Sequence, residues 1–152
     1  MMQNVVVGAP SFSRYSPSMA VEQDADPRLL SALHFIANNY SQPSLRLKDV
    51  SKSAGLSLWH FSRLFNTNVR MGLREYLKNV RLEHACTLLN SSSLSIKEVA
   101  AAVGYNHLSD FYHHFKSGHG VSPLAYRRDA RRNGMQFEDR SQSRKAEEFT
   151  KQ

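Results

Sequence analysis

Two short stretches of the chain carry hydrogen-bonding side chains at the spacing of one helix face. They are Trp59, Ser62, Arg63 and Asn66 in the first stretch and Ser109, Tyr112, His113 and Lys116 in the second. Their indole, hydroxyl, guanidinium, amide, imidazole and ammonium groups donate hydrogen bonds to base edges and phosphate oxygens. Neither set contains a carboxylate, so this chemistry predicts a surface that contacts a polyanion such as nucleic acid.

Apolar residues on the other side of each stretch predict the helix that carries it. Phe61 and Phe65, like Phe111 and Phe115, are four residues apart and therefore lie on one helix face. We expect these phenylalanines, together with Leu64, to face the core. Both polar faces would then point to solvent with the same spacing.

Each stretch follows a similar short segment, and the two copies are offset by 49 to 50 residues. Segments 47–50 and 96–99 both have the order aliphatic, Lys, acid, Val, and a glycine follows eight residues after the aliphatic residue in each copy. Glycine suits the left-handed conformation that ends a helix, so each copy predicts a helix-turn-helix. Asp49 and Glu98 fall in the first helical turn, where the helix dipole favours an acid.

Helical periodicity predicts an all-α fold of about seven helices around this repeat. The longest apolar pattern predicts a linker helix of about 17 residues, which would span about 26 Å. One turn of duplex DNA rises about 34 Å. With the width of the flanking units added, such a linker can set two DNA-contacting helices one turn apart on one side of the DNA. The predicted units are a flexible lead (1–26), a folded domain (27–132) with a first helix-turn-helix (45–67), the linker helix (73–90) and a second helix-turn-helix (95–117), and a charged tail (133–152).

Composition and charge exclude several other classes of protein. The 152 residues include 20 Lys+Arg and 13 Asp+Glu, and residues 27–132 hold fifteen basic and six acidic side chains, a net charge of +9. The single Cys86 excludes an internal disulfide and a cysteine zinc module, and no apolar run reaches the length of a membrane span. No signal peptide is recognisable, so we expect a cytoplasmic, nucleoid-associated protein without membrane contact.

The side chains also offer no pattern for catalysis, a cofactor or a metal. No nucleophile, base and orienting group can be nominated and no glycine-rich phosphate loop is present, so we predict that the protein is not an enzyme and uses no cofactor. His107, His113, His114 and His119 suggest a metal site, but zinc needs three or four converging ligands and His113 and His114 point to different helix faces, so no metal site is expected. Cys86 is predicted to be a small buried hydrophobe in the linker helix, with a redox sensor as the alternative.

Several motifs resemble the AraC/XylS family of bacterial transcription regulators over residues 28–130. Segment 120–127 is similar to the family's closing motif of Gly, small polar, Pro, two variable residues, aromatic and Arg. Segment 61–65 resembles the first recognition helix, 76–83 the linker helix and 96–105 the second helix-turn-helix. The resemblance implies two recognition helices in adjacent major-groove segments of double-stranded promoter DNA, and control of transcription initiation through RNA polymerase.

The length before the domain and the unlike repeats set further expectations. The 26 residues of the lead are too few for a ligand-binding domain, so the chain resembles the family's short members. We expect an activator that binds as a monomer, because two unlike helices already supply two half-contacts. Two alternatives stay open: a detached DNA-binding fragment that needs a partner or a missing domain, and a basic protein that binds nucleic acid without sequence preference.

The residues expected to contact DNA divide into base and phosphate contacts. Arg63 is the best candidate for a base contact, because a guanidinium binds a guanine edge through two hydrogen bonds, worth about 1–3 kcal/mol of discrimination. A phosphate contact or a surface pair is the alternative for Arg63, and a core position is the alternative for Trp59. The predicted base contacts are Trp59, Ser62, Arg63, Asn66, Ser109, Tyr112 and His113, and the predicted phosphate contacts are Ser57, His60, Arg70, Arg74, Lys78, Arg81, Lys116 and Arg127.

Three positions depart from the family pattern, and one predicted contact has a structural alternative. Arg70 stands where the family has glycine, so it either strains the turn or adds a phosphate contact. His113 replaces an arginine or lysine, which weakens the expected second contact at neutral pH, and His119 replaces an aromatic residue. Arg127 can instead cap the domain structurally.

Overall fold

The computed structural model describes residues 26–133, which form helices and no strand within that range. The helices are α1 (Pro27–Asn39), α2 (Leu47–Ser53), α3 (Leu58–Val69), α4 (Leu73–Ser91), α5 (Ile96–Ala102), α6 (Leu108–His119) and α7 (123–133). The predicted all-α fold of about seven helices is confirmed. The predicted flexible lead and charged tail fall on 1–25 and 134–152, apart from their inner ends, and so lie outside the described residues.

Helices α1 to α3 and the start of α4 enclose a first core. Helix α1 begins as predicted at Pro27, and the Asp26 carboxylate caps it by accepting a hydrogen bond of 2.9 Å from the backbone N–H of Arg28. The buried residues of this core are Leu29, Ala32, Leu33, Ile36, Val50, Ala54, Phe61, Phe65 and Tyr76.

The later turns of α4 enclose a second core with α5 and α6. Its buried residues are Leu82, Ala85, Leu89, Val99, Ala100, Val103, Phe111 and Phe115. Helix α4 therefore contributes to both cores, and its 19 residues span about 28 Å. We call the helices around the first core the first unit and those around the second core the second unit.

The repeated acid of the two short helices has a local structural reason. The Asp49 carboxylate accepts a hydrogen bond of 2.9 Å from the backbone N–H of Arg46, and Glu98 accepts one of 2.7 Å from that of Ser95. In α5 the hydroxyl of Ser95 also accepts a bond of 3.2 Å from the backbone N–H of Glu98, which completes a capping box. The two acids thus fix the starts of α2 and α5.

Helices α3 and α6 are both longer than the sequence pattern predicted. We predicted that the polar segment 67–70 would break α3 and that 118–123 would be a loop. Both predictions were wrong for the first residues of the segment, because 67–69 belong to α3 and 118–119 belong to α6. Helix α3 continues to Val69 because helical backbone bonds do not require apolar side chains, and α6 continues to His119. Gly118 is helical where α6 approaches α4 closely: an added Cβ there would lie 3.3 Å from Leu82 Cδ1.

Helices α3 and α6 end at equivalent positions of the repeat, and both end residues have the left-handed conformation. These are Arg70 with φ 61° and Gly120 with φ 75°. Gly55 and Gly104 end the shorter helices with φ 67° and 92°, as the repeat predicted. No helix within residues 26–133 is long and apolar enough to cross a membrane.

Candidate nucleic-acid interface

Helix α3 is anchored by two phenylalanines and presents its polar face to solvent. Phe61 and Phe65 are fully buried, and the Ser57 hydroxyl caps the helix by accepting a bond of 3.3 Å from the backbone N–H of His60. Of the four predicted residues on the outer face, three are exposed and Ser62 is half-buried. The exposed residues are Trp59, Arg63 and Asn66.

Trp59 and Arg63 contact each other on this exposed face. The Trp59 side chain is 63% exposed, which excludes the core position that we considered for it. The guanidinium carbon of Arg63 lies 5.5 Å from the centroid of the Trp59 ring, within the range of a cation–π contact. An arginine packed against an aromatic ring keeps its N–H groups available as hydrogen-bond donors. The pair therefore presents the flat apolar indole ring beside a guanidinium that can donate hydrogen bonds.

Helix α6 repeats this arrangement at an offset of 50 residues. Residues 61–70 and 111–120 show the same succession of buried, half-buried and exposed positions. The ring centroids of Phe65 and Tyr76 are 5.4 Å apart, and those of Phe115 and Tyr126 are 5.5 Å apart, both edge-on. The two outer faces are therefore held by equivalent packing against the helix that follows.

The exposed face of α6 differs from that of α3 in its chemistry. Ser109, His113 and Lys116 are exposed, whereas Tyr112 is half-buried and packs against the second core. Asp110 is also exposed in the first turn of α6, so an acid lies in the helix next to the predicted donor face. The second face consequently offers fewer free donors than the first.

Most of the predicted phosphate contacts are at the surface. Lys78 is half-buried, and its ammonium forms an ion pair of 2.7 Å with Glu75; such a pair is worth little in water and can exchange partners. The exposed residues of this set are Ser57, His60, Arg70, Arg74 and Lys116.

Arg81 and Arg127 have internal partners instead. Arg81 donates hydrogen bonds of 2.8 Å from Nε to the carbonyl of Tyr40 and from Nη2 to that of Gln42. Arg127 is 8% exposed, and its Nε donates a bond of 3.3 Å to the carbonyl of Leu89 near the end of α4. These contacts favour a structural role for both arginines over the predicted phosphate contact.

A cavity of about 450 Å³ lies beside α3, and Arg46 lines it next to residues of the predicted interface. Ser62, Asn66 and Arg74 line this cavity together with Arg46, which the sequence patterns did not single out. Arg46 precedes α2 and its partner in the repeat is Ser95, so the offset of 49 could have identified it as a cap position but not as a cation beside α3.

Cys86 and the histidines form no metal cluster within residues 26–133, where no group of three or more possible ligands was found. The Cys86 sulfur lies 3.5 Å from His119 Nε2, and burial raises the pKa of the Cys86 thiol to about 11. Because the thiolate is the form that reacts with oxidants, this high pKa disfavours a redox sensor.

Comparison with known proteins finds relatives across this region. The family model described as "Helix-turn-helix domain" matches residues 50–129. The melibiose operon regulatory protein of Escherichia coli strain K12 is 28% identical over 118 residues, covering 78% of this chain and 39% of its own length. The chain thus spans well under half the length of the curated relatives it matches.

Two solved structures are similar in fold and in sequence. One is the C-terminal domain of AraT, a response regulator from Geobacillus stearothermophilus, with a TM-score of 0.66 and 34% identity, covering 68% of this chain and 86% of that one. The other is the DNA-binding domain of AdpA, a global transcriptional factor, in complex with a target DNA. Its TM-score is 0.67 at 25% identity, covering 72% of this chain and 96% of that one.

Proposed function

Since this chain belongs to the AraC/XylS family of transcription regulators, we propose that it binds double-stranded promoter DNA sequence-specifically and regulates transcription initiation. In this proposal α3 and α6 enter adjacent major-groove segments, and α4 spaces them. The exposed, carboxylate-free outer face of α3, repeated with equivalent packing in α6, supports this function most. The DNA complex of the similar AdpA domain is consistent with it.

The contacts within the proposed interface follow from exposure. Arg63 and Trp59 are the main base contacts, with Ser62 and Asn66 beside them. On α6, Ser109 and His113 contact bases, and Tyr112 contributes through the part of its ring that stays exposed. Exposed cations, polar groups at the start of α3 and the half-buried Lys78 bind the phosphates. We assign this role to Ser57, His60, Arg70, Arg74, Lys78 and Lys116, and add Arg46.

The wider function is part of the same proposal. We propose an activator that works with RNA polymerase and binds as a monomer, because two unlike recognition helices in one chain fit an asymmetric site. A regulator of this kind acts where promoter DNA lies, which places it at the bacterial nucleoid. Nothing in this role requires catalysis.

Selection from a random duplex library at about 150 mM salt tests the proposal, followed by titration of the selected site against scrambled DNA. We expect the selected site to bind about a thousandfold more tightly and to contain two boxes about one helical turn apart. One box alone would mean that α6 only clamps phosphates. A protein that selects no site would favour the non-specific protein or the fragment that needs a partner.

Two arginine variants separate base contacts from phosphate contacts. Arg63→Ala should relax base preference at one or two positions of the site, whereas Arg74→Ala should weaken binding to every sequence about equally. Arg63→Lys is the matched control, because it keeps the charge and loses the two-bond fork. Equal losses on all sequences for Arg63→Ala and Arg74→Ala would contradict the assigned roles.

A further inference from the structure

The end of α1 belongs to the first unit along the chain but packs against the second. The Tyr40 ring, just after α1, packs against the second core. It stacks on the imidazole of His84 in α4, with ring centroids 4.0 Å apart and planes 5° from parallel. The first unit therefore reaches the second through α1 as well as through α4.

Gly104 of the second unit lies against the backbone that follows α1. A Cβ added to Gly104 would lie 2.9 Å from the carbonyl oxygen of Tyr40 and 3.0 Å from backbone atoms of Ser41. Gly55, its partner in the repeat, has the same left-handed conformation but nothing within 4 Å of an added Cβ. Only the glycine of the second unit thus combines the turn with a close contact between units.

Arg81 completes the contact from α4. Its guanidinium bonds the carbonyls of Tyr40 and Gln42, which follow the C-terminus of α1, where a cation is favoured. The same guanidinium carbon lies 5.8 Å from the centroid of the Tyr105 ring in the second unit. The Arg81 side chain on α4 thus contacts backbone carbonyls of the first unit and the Tyr105 ring of the second. We call Tyr40, Arg81, Gly104 and Tyr105 the junction.

We propose that the junction fixes the orientation of the two units and thereby sets the number of base pairs that may separate the two boxes of the DNA site. Joined by α4 alone, the units could rotate as that helix bends or twists. One extra base pair moves the second box by about 3.4 Å and rotates it by roughly 34°. A rigid junction cannot follow such a rotation. The spacing part of the inference rests on the proposed function, whereas the orientation part does not.

Two variants disturb the junction by different means. Gly104→Ala adds a Cβ that would lie 2.9 Å from the Tyr40 carbonyl oxygen, just after α1. Gly55→Ala is its control, because it also places a side chain at positive φ (67° against 92°) but adds no contact between units. Arg81→Met keeps an unbranched side chain of about the size of the aliphatic part of arginine and loses both hydrogen bonds to the end of α1. It keeps the inference testable if Gly104→Ala does not fold.

Spin labels measure the orientation without DNA. Thr67 and Ser117 occupy equivalent exposed positions on α3 and α6, so cysteines there, in a Cys86→Ala background, report the distance between the recognition helices. We expect one narrow distance distribution for the parent protein and for Gly55→Ala, and a shifted or broadened one for Gly104→Ala and Arg81→Met. Unchanged distributions in the two junction variants would overturn the inference.

A spacing series then tests the consequence for DNA. The selected site is lengthened or shortened by one and two base pairs between its boxes, and each version is titrated. One added base pair should weaken the parent protein and Gly55→Ala roughly tenfold or more, because much of one box is lost. In the junction variants the same change should cost about two- to threefold. An equal spacing penalty in all proteins would overturn the proposed control of spacing.

The two measurements separate the possible failures. If the parent protein selects no two-box site, the proposed function and the control of spacing fail together, and the label distances alone support or overturn the rigid junction. If the distances broaden while the spacing penalty stays, the function stands and the proposed consequence of the junction is wrong.

Discussion

Arg63 and His113 occupy equivalent exposed positions in the two copies, but Arg63 lies against an indole ring and His113 beside a second imidazole. The contact with Trp59 restricts the guanidinium before any base is bound, which reduces the entropy lost on binding. His113 instead lies beside His114, with ring centroids 5.9 Å apart, and offers a single donor geometry. We therefore expect the first box of a DNA site to be the more strictly defined.

His119 makes the stability of the fold depend on pH, which the aromatic residue typical of the family at this position would not do. The imidazole packs against the Phe115 ring with ring centroids 4.4 Å apart and planes tilted by 37°, and burial lowers the pKa of His119. The folded protein thus binds this proton more weakly than the unfolded chain does. Stability from this group is complete above the ordinary histidine pKa of about 6.5 and is lost as the pH falls below it.

Replacing His119 with the aromatic residue typical of the family tests this linkage. His119→Phe should flatten the fall in the free energy of unfolding between about pH 7 and pH 5, measured by urea titration with circular dichroism. Some slope should remain, because burial also lowers the pKa of His114. A variant whose stability falls as steeply as that of the parent protein would contradict the assignment to His119.

At the scale of elements, helices α3 and α6 end with the same backbone conformation but with different residues. Both helices end in the left-handed conformation, with glycine at position 120 and arginine at position 70. A side chain in that conformation costs about 1–2 kcal/mol. The expected strain at Arg70 is therefore present, and its exposed guanidinium is placed where a phosphate contact could offset it.

Arg70→Gly should raise the free energy of unfolding by about 0.5–1 kcal/mol, because the relief of strain exceeds the added freedom of the unfolded chain. Chemical denaturation measures the change. Gly120→Ala is the reciprocal variant; it should lose about 1 kcal/mol through φ alone, since nothing lies within 4 Å of its added Cβ. If Arg70 binds a phosphate, Arg70→Gly should also weaken all DNA sequences equally. A lower free energy of unfolding for Arg70→Gly would contradict the proposed backbone strain at Arg70.

Local features of the elements could be predicted from the sequence, and contacts between them could not. The order of helices, the buried phenylalanines and the left-handed Gly55 and Gly104 follow from periodicity and turn chemistry. The last turns of α3 and α6 were missed, because polar residues and Gly118 carry no helical pattern. The internal role of Arg81 depends on carbonyls about forty residues away, which no local spacing encodes.

At the scale of the whole molecule, the chain holds two cores on one shared helix. The first core ends at Tyr76 and the second begins at Leu82, so α4 passes from one to the other within two turns. The junction adds a second connection through α1. Two cores joined in this way should open separately, with Tyr40, just after α1, following the second unit.

Matched core variants test this division. Phe65→Leu and Phe115→Leu remove equivalent packing from the two cores, each at about 1–2 kcal/mol. Native-state hydrogen exchange should show that amides of α2 and α3 exchange about 5–30-fold faster in Phe65→Leu, and that those of α5 and α6 do so in Phe115→Leu. Among the residues before α2, Tyr40 should respond most to Phe115→Leu, because its ring packs on the second core. Equal acceleration of every helix in both variants would mean that the two cores unfold as one.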